Sequence, residues 1–285
     1  TGYVRNYGFE AMLSYGHRWG DFGWDSSFTF SANKNEIVEL VKDYVHPETG
    51  KTYNVDKLEL KTDEGRGFGK AKFILKEGGT LGDLYTHADL KRDINGNVLI
   101  DDSGNVTAID NAGDIKLGSV LPKANLAWNN SFSYKGINAG FLLTARLGGI
   151  VYSATQAYLD LYGVSETSAA ARDAGGVWIN GRSRVNPQSF YEVVASQSGL
   201  PTYYTYSATN LRLQEAHIGY TVPRRWLGNV CDINVSLVGR NLWMIYCKAP
   251  FDPEAVATTN NYYQGIDYFM MPSLRNIGFN LRLKF

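Results

Sequence analysis

Cysteine, proline and histidine are scarce in this sequence, and long apolar runs are missing altogether. The chain has 2 Cys, 8 Pro and 4 His in 285 residues. Cys231 and Cys247 sit at opposite ends of one candidate strand, roughly 50 Å apart at about 3.3 Å per residue, which is beyond disulfide reach. His17, His46, His87 and His217 stand in separate segments with no metal-ligand spacing. No GxGxxG or P-loop occurs, and no nucleophile, base and acid share a motif, so the chain is not expected to be an enzyme. With 28 basic and 28 acidic side chains it lacks the field that would gather nucleic acid. No run is long enough for a transmembrane helix. A spanning strand, however, needs only about 9–11 residues with one apolar face. The chain opens Thr1-Gly2-Tyr3 without Met, basic n-region or apolar h-region, so the true N-terminus is expected elsewhere.

What is abundant is Gly (30), Tyr (19), Phe (13) and Trp (6), laid out with period two. Strands are predicted at about Tyr7–Trp19, Phe22–Ala32, Lys70–Lys76, Leu81–Arg92, Ala124–Tyr134 and Ile137–Leu147. Three more follow, at about Asn210–Thr221, from Ile233, and to the end at Phe285. In the first of these three the alternation changes phase, from Leu211 and Leu213 to Ala216, Ile218 and Tyr220, which predicts a bulge near Glu215. Turn formers Pro47-Glu48-Thr49-Gly50 and Asp63-Glu64-Gly65 punctuate the loop between Asn33 and Gly69. Ser165 is placed to cap a short helix over Thr167–Ala174, stopped by Gly175-Gly176.

These nine strands predict an all-β, antiparallel transmembrane barrel wall. The connections at 19–21, 77–80, 135–136 and 222–228 are short, whereas those at 33–69, 92–123, 149–206 and 247–270 are long. Short periplasmic turns alternating with long external loops are the asymmetry of an outer-membrane barrel. One face of the wall is expected to meet lipid through Phe132, Phe141, Leu143, Val235, Leu237, Phe279 and Leu281. Because such barrels pair strands in even number and end on the periplasmic side, nine strands predict a piece of a larger barrel, with residues 1–285 as its C-terminal part.

Several stretches resemble a known family. Asn210-Leu-Arg-Leu-Gln-Glu-Ala-His-Ile-Gly-Tyr-Thr-Val-Pro223 is similar to an "LRLxNxxLGYxxP" motif, Val238-Gly-Arg-Asn-Leu-Trp243 to "SGxNLW/F", and Ala249-Pro-Phe-Asp-Pro-Glu254 to an "FDPE" loop. Upstream, Val4–Glu10 resembles "VxNxGxE" and Asn33–Val38 "NKNEIV", while Gly118–Pro122 sits where "xGNPxPK" is found and the Pro272–Phe285 ending matches too. Together these resemble SusC/RagA-type TonB-dependent transporters of Bacteroidetes, in the family's order and over nearly the whole chain. The resemblance implies a plugged barrel of about 22 strands in the cell outer membrane. It also implies a SusD-like surface lipoprotein as lid, and TonB acting through a plug and TonB box that this chain does not contain. The function implied is active uptake of an oligomeric nutrient. A glycan is favoured over an oligopeptide, with a passive barrel or a receptor/adhesin as the other class.

Candidate substrate-binding residues are the loop aromatics and amides Tyr203, Tyr204, Tyr206, Asn260, Tyr262 and Tyr263, with Tyr268 beside them. A tyrosine offers an apolar ring with a polar handle, and a neutral amide pairs with hydroxyl or peptide groups. Inward Arg146, Arg240 and Arg282 are expected to contact lumen or plug. No cofactor is expected. The spacing of Asp93, Asn95, Asn97 and Asp101 suggests a calcium loop, but the acidic residue that closes the pattern of about 12 residues is missing.

Overall fold

The computed structural model describes residues 2–60, 68–228, 230–258 and 264–284. Its largest element is a seven-stranded antiparallel wall whose strands pair in chain order. They are β1 (Tyr3–Trp19), β2 (Phe22–Glu39), β3 (Ala124–Tyr134), β4 (Ile137–Leu147), β5 (Asn210–Val222), β6 (Asp232–Cys247) and β7 (Asn276–Lys284). Two tight turns fix the register. Lys135 and Gly136 both have positive φ, the geometry of a two-residue hairpin whose twist matches its strands. Gly20 alone does so in the turn between Trp19 and Phe22.

The alternation of short and long connections holds, but the expected count of nine strands is corrected to seven. The predicted hairpin at 70–92 leaves the wall. Ala71–Lys76 and Asp83–Thr86 instead pair within a separate four-stranded sheet that also takes Lys57–Glu59 and Ile115–Ser119. The physical reason is length and burial. Runs of 6 and 4 residues fall short of the span of about 9–11. Phe73, Ile74 and Leu84 are also buried, so no face is free for lipid. The loops expected at 33–69 and 92–123 therefore merge into one excursion. It starts later than predicted, because β2 runs on to Glu39 through the Asn35–Asn6 and Arg5–Glu36 side-chain pairs. The turn expected at Asp63-Glu64-Gly65 and the terminal Phe285 lie outside the described residues.

Three excursions, 40–123, 148–209 and 248–275, leave the same end of the wall and fold into one module. Its core joins Phe73 and Leu84 from the first, Tyr152, Phe190 and Leu200 from the second, and Ile266 from the third. None of the buried members of that core belongs to a wall strand. Three helices stand in the second excursion: α1 (Ala154–Leu161), α2 (Glu166–Asp173) and α3 (Pro187–Val194). Ser165 caps α2 as predicted, its side chain accepting from the Ser168 amide, and Gly175 follows with φ of 70°. The other two helices start on Ser153 and on Asn186-Pro187, the latter an N-cap followed by a proline that needs no amide partner.

Candidate functional site

Register converts the sequence alternation into two continuous surfaces. Leu13, Phe28, Trp128, Leu143, Leu213 and Trp243 lie opposite one another from β1 to β6. A second row runs Trp24, Phe132, Ala139, Ile218, Leu237 and Phe279 across β2 to β7. All seven residues expected on the lipid face occupy this apolar side. Between the two rows, on the same face, Asn130 and Ser26 pair and accept from the indoles: Trp24 donates to Asn130 Oδ1 at 3.1 Å and Trp128 to Ser26 Oγ at 3.0 Å. Toward the short turns the rings thicken into a belt, with His17–Trp19, Tyr15–Trp24 and Trp19–Phe22 centroids at 4.4, 5.4 and 6.0 Å.

The opposite face is polar. Ser14, Ser27, Asn129, Glu215, Arg240 and Asn276 share one of its rows, interrupted only by Leu142. Arg146, Arg240 and Arg282 all belong to this side, as their register partners Asn125, Glu215 and Asn234 require. They do three different things. Arg240 pairs with Glu215 at 3.0 Å in the open. Arg146 is partly buried and donates to the Val120 carbonyl at 2.9 Å, while its Nε finds no partner. Arg282 stands exposed. A cradle of about 690 Å³ lies on this face toward the module, lined by Glu10, Thr29, Ser31, Asn125, Arg146 and Glu254.

The cation that matters most to this face was not singled out in the sequence. Arg212 is buried and donates to Asp252 Oδ1 at 2.7 Å, with Glu254 at 3.3 Å and Ser273 Oγ at 3.4 Å. It fastens the third excursion against β5. Burial alone would raise the Asp252 carboxyl, but Arg212, Ser273 and the Glu254 amide together hold it below the ordinary carboxylate range. The signal was present: both residues fall within the motifs "LRL" and "FDPE", but nothing in the sequence says that the two meet.

The predicted phase change is a double bulge. Register slips between Leu213 and Glu215, where Gln214 Nε2 donates to Asn241 Oδ1 at 2.8 Å. Asn241 has φ of 51° and also donates to the Leu274 carbonyl. Asparagine tolerates the left-handed region that such a kink demands, which gives the "NLW" motif a backbone reason.

One of the loop aromatics, Tyr204, needs correcting. Tyr204 is 2% exposed, and its hydroxyl donates to Asp160 Oδ2 at 3.0 Å. Burial and that carboxylate push its pKa far up. It is a core residue with no face for substrate. Tyr203 packs edge-on to Phe190 at 6.1 Å, and Tyr206 edge-on to Phe251 at 5.4 Å, both half-buried in the module. Asn260, Tyr262 and Tyr263 lie outside the described residues. The candidate calcium loop forms two successive turns of one design. Asp93 Oδ1 accepts from the amides of Asn95 and Asn97, and Asp101 Oδ1 from those of Ser103 and Asn105. Val98 and Val106, at equivalent places in the two turns, are buried. Each carboxylate faces its own turn rather than a shared centre.

The aromatics brought together are others. Phe68, Tyr158, Tyr268 and Phe269 come from three different excursions, with Phe68–Tyr268 centroids at 4.5 Å and Tyr158–Phe269 at 5.5 Å. Tyr268 and Phe269 are among the exposed side chains of the module.

No family model matches the chain. Curated relatives include TonB-dependent receptors P3, P26 and P39 of Formosa agariphila. P3 is 24% identical over 290 residues, covering 93% of this chain and 27% of the relative. P26 is 26% identical over 311 residues and P39 24% over 319, each covering the whole chain and 29% and 30% of the relative. Solved structures that share the fold include two of RagAB. The RagAB peptide importer in a closed-closed state matches with TM-score 0.65 at 17% identity, over 100% of this chain and 30% of that one. The RagAB peptide transporter gives 0.64 at 16%, over 100% and 29%. The chain thus spans under a third of the length of the proteins it matches. The all-β barrel-wall fold and the resemblance to SusC/RagA-type TonB-dependent transporters are borne out.

Proposed function

We propose that this SusC/RagA-type relative of TonB-dependent receptors forms seven consecutive strands, and the external cap above them, of an outer-membrane barrel that takes up oligomeric nutrients. The observation that carries the reading is the register. One apolar surface runs across all seven strands and is backed by a polar one, with every long excursion at the same end. Such a wall suits lipid outside and a wet lumen inside. In bilayer its edges need further strands, since unsatisfied backbone groups in hydrocarbon cost several kcal/mol each. Residues 1–285 would be the C-terminal part of the barrel domain. Plug, TonB box and the remaining strands belong to sequence outside this chain, and TonB engages that region. A SusD-like lipoprotein lid would meet the module. No metal is assigned to the turns at Asp93 and Asp101, and no reaction to the chain.

A neutral glycan is the favoured cargo, on the strength of an exposed aromatic surface in the module. A second reading, an oligopeptide, is favoured by two solved structures of similar fold, described as a peptide importer and a peptide transporter. Cells carrying the full-length receptor test both. Uptake of fluorescent neutral oligosaccharides should vanish on deleting the receptor and on deleting tonB. Uptake that survives loss of TonB would make the barrel passive. Uptake of labelled peptides alone would establish the second reading.

A further inference from the structure

We infer that Phe68, Tyr158, Tyr268 and Phe269 form a ring platform that stacks the apolar face of a neutral sugar unit. The inference rests on the uptake reading above and adds to it a residue-level contact site. The four rings form one chain. Phe68–Tyr268 centroids lie 4.5 Å apart, Tyr268–Phe269 5.2 Å, Tyr158–Phe269 5.5 Å and Tyr158–Tyr268 6.3 Å. They bring together all three excursions of the module: Phe68 from the first, Tyr158 from the second, Tyr268 and Phe269 from the third.

Two independent observations separate this cluster from incidental packing. The first is strain. Phe269 has φ of 52°, a conformation bulky residues rarely adopt, and its amide is held by the Thr155 hydroxyl at 2.6 Å. A fixed base supports it: Ile266–Asp267 pair with Tyr152–Ser153, and the Ser153 hydroxyl donates to Asp267 Oδ2 at 2.5 Å. Backbone energy is thus spent on presenting a phenyl ring that remains 57% exposed.

The second is charge. Between Val151 and Tyr162 the only acidic or basic side chain is Asp160, and between Gln264 and Leu274 it is Asp267. Both are 4% exposed and hydrogen-bonded within the module, Asp160 to Tyr204 and Gln156 and Asp267 to Ser153. No charge from these two segments faces the rings, and beside Phe68 in the first excursion Lys70 is paired with Asp110 at 2.9 Å. A ligand stacked there meets apolar faces with phenol hydroxyls at their rims, which matches the C–H face and equatorial hydroxyls of a pyranose. Anionic or cationic groups find no counter-ion in either segment.

The test uses the purified full-length receptor on an array of neutral glycans, with a capped apolar peptide (acetyl-Ala-Leu-Ala-Leu amide) as the competing probe. Phe269→Gly removes the ring while keeping a residue at home in the left-handed backbone, and Tyr268→Ala removes its neighbour. Tyr268→Phe keeps that ring. Expected is binding of at least one neutral glycan by the wild type, weakened roughly tenfold by each ring deletion and largely kept by Tyr268→Phe, with melting unchanged. Full-strength binding by both ring deletions overturns the platform, as does an array on which the wild type binds nothing. Weakening confined to the peptide makes it a peptide subsite and overturns the sugar assignment. Cellular uptake by the same variants separates the two levels. Wild-type levels of TonB-dependent uptake in the ring deletions sink the platform and leave the transporter reading standing, whereas a wild type that neither binds nor imports sinks both.

Discussion

Arg212 and Asp252 are the pair on which single substitutions should tell most. Both side chains are under 10% exposed, 6% and 9%. Removing one partner of such a pair leaves the other charge buried, which costs about 3–5 kcal/mol. Arg212→Ala should therefore release the third excursion, read as fast amide exchange at Ser273 and Glu254, whose backbone amide donates to Asp252. The pH dependence follows from the lowered Asp252 carboxyl. A depressed folded-state pKa gives stability that is present above the unfolded value of about 3.9 and is lost as pH falls through the folded one. Wild-type protein should loosen at this loop only in strong acid, and Asp252→Asn should be loosened already at neutral pH. At Leu237 the expectation concerns solvent rather than pairing. Leu237→Arg should cost about 2–4 kcal/mol in bilayer, and Asn280→Arg on the polar face far less. Refolding titrations into liposomes compare the two. Equal costs would mean that both faces are buried in protein.

Elements show why some of the fold was legible and some was not. The wall strands announce themselves because one face is apolar and the other polar, and the bulge at Gln214 because the phase changes there. The strands at Ala71–Lys76 and Asp83–Thr86 carry the same apolar residues, but the module buries them on both sides, and period alone does not distinguish the two fates. Helix α2 was legible from Ser165 and Gly175, whereas α1 and α3, of the same length and on equally good caps, are embedded among strand-like aromatics. The misplacement of Tyr204 has the same origin. A tyrosine in a polar loop looks exposed until a buried carboxylate, Asp160, is found 44 residues away. Two element-level outcomes follow. Asn186→Ala should destabilise α3 by about 0.5–2 kcal/mol, since its Oδ1 accepts from Gln188 and Ser189, and amide exchange at those two residues reads it. Asn241→Gly should fold normally, while Asn241→Val should cost about 1–2 kcal/mol because a β-branched residue resists positive φ. Thermal melting in detergent decides between them.

For the whole molecule the two ends of the sheet decide the reading. Among the described residues β1 pairs only with β2 and β7 only with β6, and both edge strands are exposed along their length. Long, apolar, unpaired edges invite association. Cysteine pairs engineered between β1 or β7 and the neighbouring strands of the full-length receptor should cross-link along both edges. A cross-link between β1 and β7 themselves would mean a small closed barrel and would remove the basis of the transporter reading. Protease added to intact cells should cut within 40–123, 148–209 or 248–275 and spare Lys135-Gly136 and Gly20-Asp21.

The core of the module draws on all three excursions, and this constrains how such a molecule can diversify. Ile266, from the last excursion, is fully buried and pairs in parallel with Tyr152 from the one before, while Phe73 and Leu84 from the first complete the same cluster. Exchange of one excursion between homologues would leave the other two with a cavity or a clash, at a few kcal/mol per large residue. New cargo preferences should therefore be inherited by transplanting the three together, or by changing only outward side chains on an unchanged interior. Chimeras carrying one foreign excursion are expected to misfold at the cap while the wall below still forms.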